Sequence, residues 1–347
     1  SPLPFFQEFQ LMRILVTGGA GFIGSNFVRY TLENHPDDRV IVLDALTYAG
    51  NLENFPNEYW SNPNFQFFEG NIIEEELVEQ LMRNCDAVVH FAAETHVDRS
   101  IQEAGAFLET DVWGTFVLLE AARRYDIKRF VHISTDEVYG EAEGNPSREG
   151  DDLKPKSPYA ASKTGADRLA WSYFTTYGLP VTISRCSNNY GPFQYPEKLI
   201  PLFVTNALED KPLPVYGHGK NTRDWIYVTD HCSAVDLLLR TDGVDGEVFN
   251  VSSECEKSVL DITDIILKAT GKPATLIDHV EDRPGHVARH AVDPGKITSK
   301  LGWKPRYDFE ENIGLTIEWY KSNETWWRNL KEKQAAYKEW MDSQYGK

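Results

Sequence analysis

Two short segments carry side chains whose types and spacing promise chemistry. The first is Ser134-Thr135-Asp136-Glu137-Val138-Tyr139-Gly140, which closes a strand candidate over residues 129–134. It sets a hydroxyl and two adjacent carboxylates at the carboxyl end of a strand, where parallel sheets receive their ligands. Oxidation of an alcohol needs neither carboxylate. β-Elimination of water needs both, one ionised to take a proton from carbon and one protonated to supply the leaving hydroxyl. Burial and like-charge repulsion are the means of holding two neighbours in opposite states. The second segment is Tyr159-Ala160-Ala161-Ser162-Lys163, which places a phenol and an ammonium on one helical face. The ammonium is expected to lower the phenol's pKa. Tyr159 would then take the proton of an alcohol while hydride leaves the same carbon for a nicotinamide. Thr135 is expected to hydrogen-bond the substrate hydroxyl near Tyr159.

A site for that nicotinamide's dinucleotide lies near the start of the chain, in Val16-Thr17-Gly18-Gly19-Ala20-Gly21-Phe22-Ile23-Gly24. Gly18 would allow the tight turn, Gly21 the approach of a pyrophosphate to the backbone, and Gly24 close packing of helix on strand. The N-terminus of the helix that follows would turn its N–H groups to the phosphates. Asp44 ends the next strand, 20 residues beyond Gly24, in position to accept from the adenosine ribose. Its charge would repel a 2′-phosphate and no arginine stands directly beside it, so NAD is favoured over NADP. Asn71 and Ile72 follow the third strand and are placed to reach adenine. Phe91-Ala92-Ala93 ends the fourth, on the edge that should line the cofactor cleft.

The elements that must hold these groups are legible as short apolar runs alternating with longer amphipathic ones. Strand candidates lie at residues 13–16, 40–43, 65–68, 87–91, 129–134 and 180–185. Helices are expected to about residue 32, over 107–125 and over 157–177. Near-continuous apolar strands between helices signal a parallel sheet covered on both faces. The expected fold class is α/β, a Rossmann-type doubly wound parallel sheet with a smaller C-terminal α/β substrate-binding lobe. Residues 12–190 read as the NAD-binding domain, with a return segment over 227–250. Residues 191–226 and 251–330 read as the lobe, with helices near 260–270 and 312–319 and a strand near 275–279. The tail over 324–345, with Trp326, Trp327 and Trp340, reads as an amphipathic helix packing on the body, its last part (331–347) a C-terminal helix. Residues 1–11 precede Met12 and read as a tag or upstream remnant.

Composition narrows the partners. Lys and Arg number 35 against 53 Asp and Glu, a formal net charge of −18. A field of that sign argues against nucleic acid and anionic membrane surfaces, while local basic residues and helix N-termini still admit a phosphate-bearing small ligand. Cys85, Cys186, Cys232 and Cys255 form no CxxC pair, so free thiols, no metal site and a cytoplasmic address are expected. No run approaches the length of a transmembrane helix.

These motifs come with others of the same kind. VVHFAAETHVDRSI (88–101), RCSNNYGPFQYPEKLIPLFVTNAL (185–208), LPVYGHGKNTRDW (213–225) and EDRPGH (281–286) complete the set. Together they resemble the extended short-chain dehydrogenase/reductase family, and within it the sugar-nucleotide 4,6-dehydratases, from residue 12 to about 319. Relatives that epimerise or decarboxylate lack the Asp-Glu pair after the threonine. The resemblance implies tightly held NAD, a nucleotide-sugar substrate (dTDP-glucose), and a homodimer built from the helix over 107–125 and the catalytic helix. It implies Tyr159, supported by Lys163 and Thr135, as base at the sugar 4-hydroxyl. Glu137 would be the base at C5, and Asp136 the acid at the departing 6-hydroxyl.

The same resemblance assigns cofactor contact to Phe22, Ile23, Asp44, Asn71, Ile72, Ala92, Thr110, Tyr159, Lys163 and Asn189. It assigns the nucleotide sugar to Thr95, Asn188, Glu197, Lys198, Leu199 and Pro214, and to Tyr216, Arg223, Asn250, Arg283 and His286. Lys198, Arg223 and His286 suit a diphosphate in an otherwise acidic chain. The chain departs from the family pattern at Asn71 (usually Asp), Asp111 (usually Asn) and Thr95 (usually Ser). It departs again at Asn250-Val251-Ser252-Ser253 and at Val287-Ala288-Arg289-His290, both near the expected nucleotide pocket. A uridine nucleotide, or epimerisation on the same fold, is therefore the alternative.

Overall fold

The computed structural model describes residues 11–333, 338, 339, 342 and 343. The expected remnant before residue 11, Trp340 and most of the tail beyond residue 333 lie outside the described residues. The chain begins with β1 (Arg13–Thr17), α1 (Phe22–Asn34), β2 (Arg39–Asp44), β3 (Phe65–Glu69), α2 (Glu75–Met82) and β4 (Ala87–His90). There follow α3 (Val97–Gln102), α4 (Ala104–Phe107), a π-helical stretch Leu108–Gly114 and α5 (Thr115–Arg124), which occupy the helix expected over 107–125. Next come β5 (Arg129–Thr135), a 3₁₀ turn Asp136–Tyr139, α6 (Pro158–Tyr177) and β6 (Val181–Cys186). The remainder supplies β7 (Asn188–Tyr190), α7 (Leu199–Leu208), β8 (Leu213–Tyr216), β9 (Thr222–Tyr227), α8 (Val228–Arg240) and β10 (Val248–Val251). It closes with β11 (Glu256–Ser258), α9 (Val259–Thr270), β12 (Ile277–Val280), β13 (Arg289–His290), α10 (Gly295–Leu301), α11 (Phe309–Ser322) and α12 (Glu324–Lys333).

The main sheet has the order β10-β6-β5-β4-β1-β2-β3, and its pairings are parallel throughout. Strand side chains alternate between faces. Ile14 and Val16 pack with Phe27 and Val28 of α1 and Val235 and Leu238 of α8. Leu15 and Val88 face the other way, with Leu118 of α5 and Ala170 and Tyr173 of α6. The sheet is therefore covered on both sides, which is why its strands tolerate so few polar residues. From β1 the chain builds outward through β2 and β3, then returns to build the other way through β4, β5 and β6. That reversal opens a crevice at the carboxyl ends of β1 and β4, the place where such sheets bind ligands.

A third core joins α7, α9 and α11 through Phe203, Val204, Ile262, Ile266, Ile313 and Ile317, and Trp326 and Trp327 of α12 pack into it. Around it lie two small sheets, β11-β9-β13 with β7 also on β9, and β12-β8. The strand expected near 275–279 is displaced. Pro273 opens a 3₁₀ turn over Ala274–Leu276, so pairing begins only at Ile277, opposite Leu213. Among the described residues no helix is long and apolar enough to cross a membrane and no cluster could hold a metal ion. All four cysteines are free.

Candidate active site

The crevice is a cavity of about 320 Å³ lined from both halves of the sheet. Its floor is the loop between β1 and α1. Gly18 has φ +68°, and a Cβ there would stand 2.6 Å from the Ala92 nitrogen. A Cβ on Gly24 would meet the Gly18 carbonyl oxygen at 2.2 Å, so α1 can lie this close to the loop only without a side chain. Gly21 differs, since the only atom near its hypothetical Cβ is the Gly18 oxygen at 3.3 Å. Gly21 is the N-cap of α1 and has no side chain to satisfy the helix's first N–H groups, which leaves them to an anion. Asp44, at the end of β2, accepts from the backbone of Ala20 and of Leu46, both at 2.9 Å. It thereby ties the glycine loop to the segment that follows β2.

All thirteen residues expected at the cofactor line this cavity: Gly18, Gly21, Phe22, Ile23, Gly24, Asp44, Asn71, Ile72, Ala92, Thr110, Tyr159, Lys163 and Asn189. Asn71 spends its amide oxygen on the Ile73 N–H, at 3.2 Å. The cavity also carries polar groups that the sequence did not single out. The Ser134 and Ser187 hydroxyls and the Gln194 amide oxygen are buried with no hydrogen-bond partner. A dinucleotide fits such a place, because a glycine cradle, an uncapped helix start, a carboxylate at the end of β2 and unspent polar atoms all converge there.

The chemistry-bearing groups stand at the other wall. β5 delivers Thr135, whose side chain caps the 3₁₀ turn by accepting from the Glu137 N–H at 3.2 Å and donates to Asp136 Oδ1 at 3.3 Å. Asp136 is 3% exposed and its Oδ2 has no partner. Burial, then the neighbouring Glu137 and Asp224, hold its carboxyl well above the usual range. α6 begins at Ser157, which accepts from the Ala160 N–H at 3.1 Å, with Pro158 in the first helical position. That start fixes the rotation of the helix, and Tyr159 and Lys163 both face the cavity.

The expectation that Lys163 lowers the Tyr159 pKa is not met by the chain alone. The Lys163 ammonium donates to the Ile133 carbonyl at 2.8 Å. Burial, with Glu137 and Asp111 adding to it, raises the Tyr159 phenol well above its ordinary value, and a hydrogen bond with Thr135 works against this. Asp111 lies in the π-helical stretch. It accepts from the Glu94 N–H at 2.9 Å and from the Ser162 hydroxyl at 2.6 Å. Burial pushes its carboxyl up to about 6, and burial together with Asp111 pushes Glu94, which lines the cavity, up to about 7.

A smaller recess adjoins the cavity, and Glu137 lines both. Arg223 and Arg283 face this recess together with His290. Two guanidinium groups at one opening suit a diphosphate. Arg283 also donates to Asp98 at 2.9 Å. Of the residues expected at the nucleotide sugar, Thr95, Thr135, Asn188 and Lys198 line the cavity and Arg223 and Arg283 the recess. Tyr216 and His286 stand just behind, their rings 6.0 Å apart, with the Tyr216 hydroxyl on Asp98 at 3.2 Å. Leu199 opens α7 and Pro214 lies in β8; neither lines either space.

Two more of the residues expected at the nucleotide sugar, Glu197 and Asn250, line neither space. Glu197 is buried and held by Arg99 at 3.1 Å, and the same guanidinium stacks 3.7 Å over the Tyr48 ring. Glu197 thus shapes the wall from behind. Asn250 is fully buried in β10 and lines neither space. Its Oδ1 accepts from the Tyr139 hydroxyl at 2.8 Å, and its Nδ2 donates to the Ser147 carbonyl at 3.0 Å. Both Nδ2 hydrogens, the second on the Asp293 carbonyl at 3.3 Å, and one lone pair of Oδ1 are thus engaged inside the fold.

The sequence matches the family described as GDP-mannose 4,6 dehydratase over residues 15–316. A dTDP-glucose 4,6-dehydratase of Actinoplanes sp. is 50% identical over 321 residues, covering 91% of this chain and 100% of that one. A low-salt glycan biosynthesis protein of Haloferax volcanii is 52% identical over 309 residues, covering 89% of this chain and 98% of that one. Among solved structures, the dTDP-glucose 4,6-dehydratase of Streptomyces venezuelae, solved with NAD bound, superposes with a TM-score of 0.89. It is 48% identical and covers 92% of this chain and 100% of that one.

Proposed function

The chain belongs to the GDP-mannose 4,6 dehydratase family, and from that premise we infer that it converts dTDP-glucose to dTDP-4-keto-6-deoxyglucose and water, with NAD as its cofactor. NAD, when bound, takes up two electrons from the sugar's C4 and returns them at C6, and its positively charged ring favours the Tyr159 phenolate. In the reading proposed for the side chains, Tyr159 removes the proton of the 4-hydroxyl. Thr135 orients that hydroxyl, and Lys163, anchored on the Ile133 carbonyl, adds positive charge beside the phenol. The ketone at C4 acidifies the neighbouring C5–H, and Glu137 takes that proton. Asp136 gives its proton to the 6-hydroxyl, which leaves as water. A proton then returns to C5. Arg223 and Arg283 hold the diphosphate.

One observation carries the elimination reading. Two adjacent carboxyls stand at one strand tip, and burial beside Glu137 raises the Asp136 carboxyl well above its usual range, the direction that an acid for a leaving hydroxyl requires. Incubation with dTDP-glucose and, separately, UDP-glucose tests it, followed by the alkali-induced ultraviolet absorbance of a 4-keto product. The keto product is expected from dTDP-glucose. A 4-epimer without keto product would overturn the elimination.

Three further proposals concern the whole chain. Residues 12–190 with 227–250 form the cofactor-binding unit, supported by α8 and β10 joining the main sheet's layers; residues 191–226 and 251–330 form the sugar-nucleotide unit. Four free thiols support a reducing, cytoplasmic compartment. The functional unit is a homodimer, supported by the exposed apolar side chains of Leu108, Trp113 and Trp171 on the helices next to the catalytic face.

A further inference from the structure

The catalytic groups come in two pairs on two supports. Tyr159 and Lys163 ride on α6, a helix of 20 residues. Asp136 and Glu137 ride on a 3₁₀ turn of four residues. A turn that short has little rigidity of its own, so its direction is set by whatever holds its two ends. Thr135, in β5, holds the first. The second end is Tyr139, and a chain of buried polar groups holds it.

Tyr139 is 4% exposed. Its hydroxyl donates to Asn250 Oδ1 at 2.8 Å and accepts from Arg185 Nη1 at 2.8 Å. Arg185 in turn donates to both carboxylate oxygens of Asp167, from Nε at 2.8 Å and from Nη2 at 2.9 Å. Asp167 follows Lys163 by four residues and Tyr159 by eight, so the three form one stripe along α6. Burial keeps the Tyr139 phenol protonated, pushed up to about 12, and it remains a donor to Asn250. At the far end Asn250 is fixed in β10 by its bonds to the Ser147 and Asp293 carbonyls and, through its N–H, to Glu149. Asp167, Arg185 and Asn250 are at most 1% exposed, and none lines the cavity or the recess.

We propose that Asp167, Arg185, Tyr139 and Asn250 form a buried strut that sets the turn carrying Asp136 and Glu137 against the helix carrying Tyr159 and Lys163. Tyr139 and Asn250 are thus positioning residues for the elimination half of the reaction. The proposal rests on the dehydratase reading and deepens it. Its consequence is a division between steps. Loosening Tyr139 lets the two carboxyls drift while the phenol stays on its helix, and a displacement of about 1 Å is enough to slow a step about 100-fold. Oxidation at C4 should persist while loss of water slows.

The test uses Tyr139→Phe, which keeps the ring and removes the hydroxyl, and Asn250→Leu, which keeps the approximate volume and removes the acceptor. Purified full-length protein with its NAD is mixed with dTDP-glucose. The reduced-nicotinamide absorbance on the enzyme and the 4-keto product are followed together, with a thermal melt of each variant. Both variants are expected to form enzyme-bound NADH at near the unmodified rate, accumulate it, and release product about tenfold or more slowly. A purely structural role would lower both steps in parallel with the melting temperature, and that outcome, or unchanged product formation, overturns the strut. Should Asn250→Leu not fold, Tyr139→Phe alone decides. An unmodified chain that forms no keto product defeats the dehydratase reading itself, and this proposal with it.

Discussion

A carboxyl stripped of water keeps its proton to higher pH than one in solution, and this holds at Asp136 and Glu94 in the cavity wall and at Asp111 behind it. Asp111 offers the cleanest measurement. Its pKa rises from 3.8 to about 6 on folding. The folded chain therefore binds that proton more tightly than the unfolded one, and the associated stability is complete below about 4 and lost as pH rises through about 6. The loss is about 3 kcal/mol. Asp111→Asn has no proton to lose. Its amide oxygen keeps the Glu94 N–H, and its NH₂ donates to Ser162, whose hydroxyl already reaches the Tyr159 carbonyl at 2.8 Å. The melting temperature of Asp111→Asn minus that of the unmodified protein should therefore climb between about pH 4 and pH 7 and level off above. A flat difference would place the Asp111 titration elsewhere. The sequence marked Asp111 only as a departure from a family pattern, because its partners come from α6 and from the loop after β4. The Thr135-Asp136-Glu137 turn and the Tyr159/Lys163 pair were legible because an elimination coupled to an oxidation demands those types at those spacings. The burial that raises Tyr159 was not, since it is a property of the packed cavity. Ser134, Ser187 and Gln194 lie within the motifs but were given no role there; what marks them is the lack of partners for their side-chain oxygens among the described residues. The internal bonds of Asn250 were not legible either, because resemblance transfers a position and not the bonds made there.

Elements position these groups, and the glycine loop shows how sharply. Gly21 and Gly24, read from the motif as a ligand-facing and a packing glycine, differ accordingly in what a methyl would meet. Gly24→Ala would press on the backbone of Gly18 and Gly19, at 2.2 and 2.8 Å, so α1 must shift. A cost of about 2 kcal/mol is expected from overpacking of this kind. Gly21→Ala faces the cavity, at φ −76°, a conformation alanine accepts. It should leave the melting temperature of cofactor-free protein nearly unchanged and yet lower the NAD retained through purification, read from absorbance and by release on denaturation. Gly24→Ala should lower both. Equal effects of the two would mean that the loop does not divide into a packing glycine and a ligand-facing one. The alternation of apolar runs identified the strands of the main sheet as far as β6, since a doubly covered sheet permits little else. It missed β10, four residues long and separated from β6 by 61 residues (248 − 187). It also read residues 107–125 as one helix, because periodicity does not reveal the wide turn over Leu108–Gly114. That turn is where Asp111 enters the core, and π-type turns are frequent at functional sites.

At the scale of the molecule two forces meet on the catalytic face. The chain carries a net charge of −18, which repels a second copy at long range. Against this stand exposed apolar groups, Leu108 at 56% and Trp113 at 50%, with the Phe116 ring 4.9 Å from that of Trp113. Leu108 and Trp113 sit on the stretch that also carries Asp111, while Trp171 and Tyr159 share α6. A symmetric pair of chains would bury the same patch twice about a two-fold axis. The charge makes the association depend on salt, since raising ionic strength from about 0.01 M to about 0.15 M shortens the screening length from about 30 Å to about 8 Å. Sedimentation velocity should find a species of twice 39.6 kDa, held more tightly at the higher salt. Leu108→Glu combined with Trp113→Glu should shift it to the single-chain mass at micromolar concentration, because each adds charge to a surface that must lose its water. A partner seated on these helices would brace the π-helical stretch, so the monomer should also show a changed Asp111 pH dependence. A doubly substituted chain that still sediments as a pair would move the interface away from these helices.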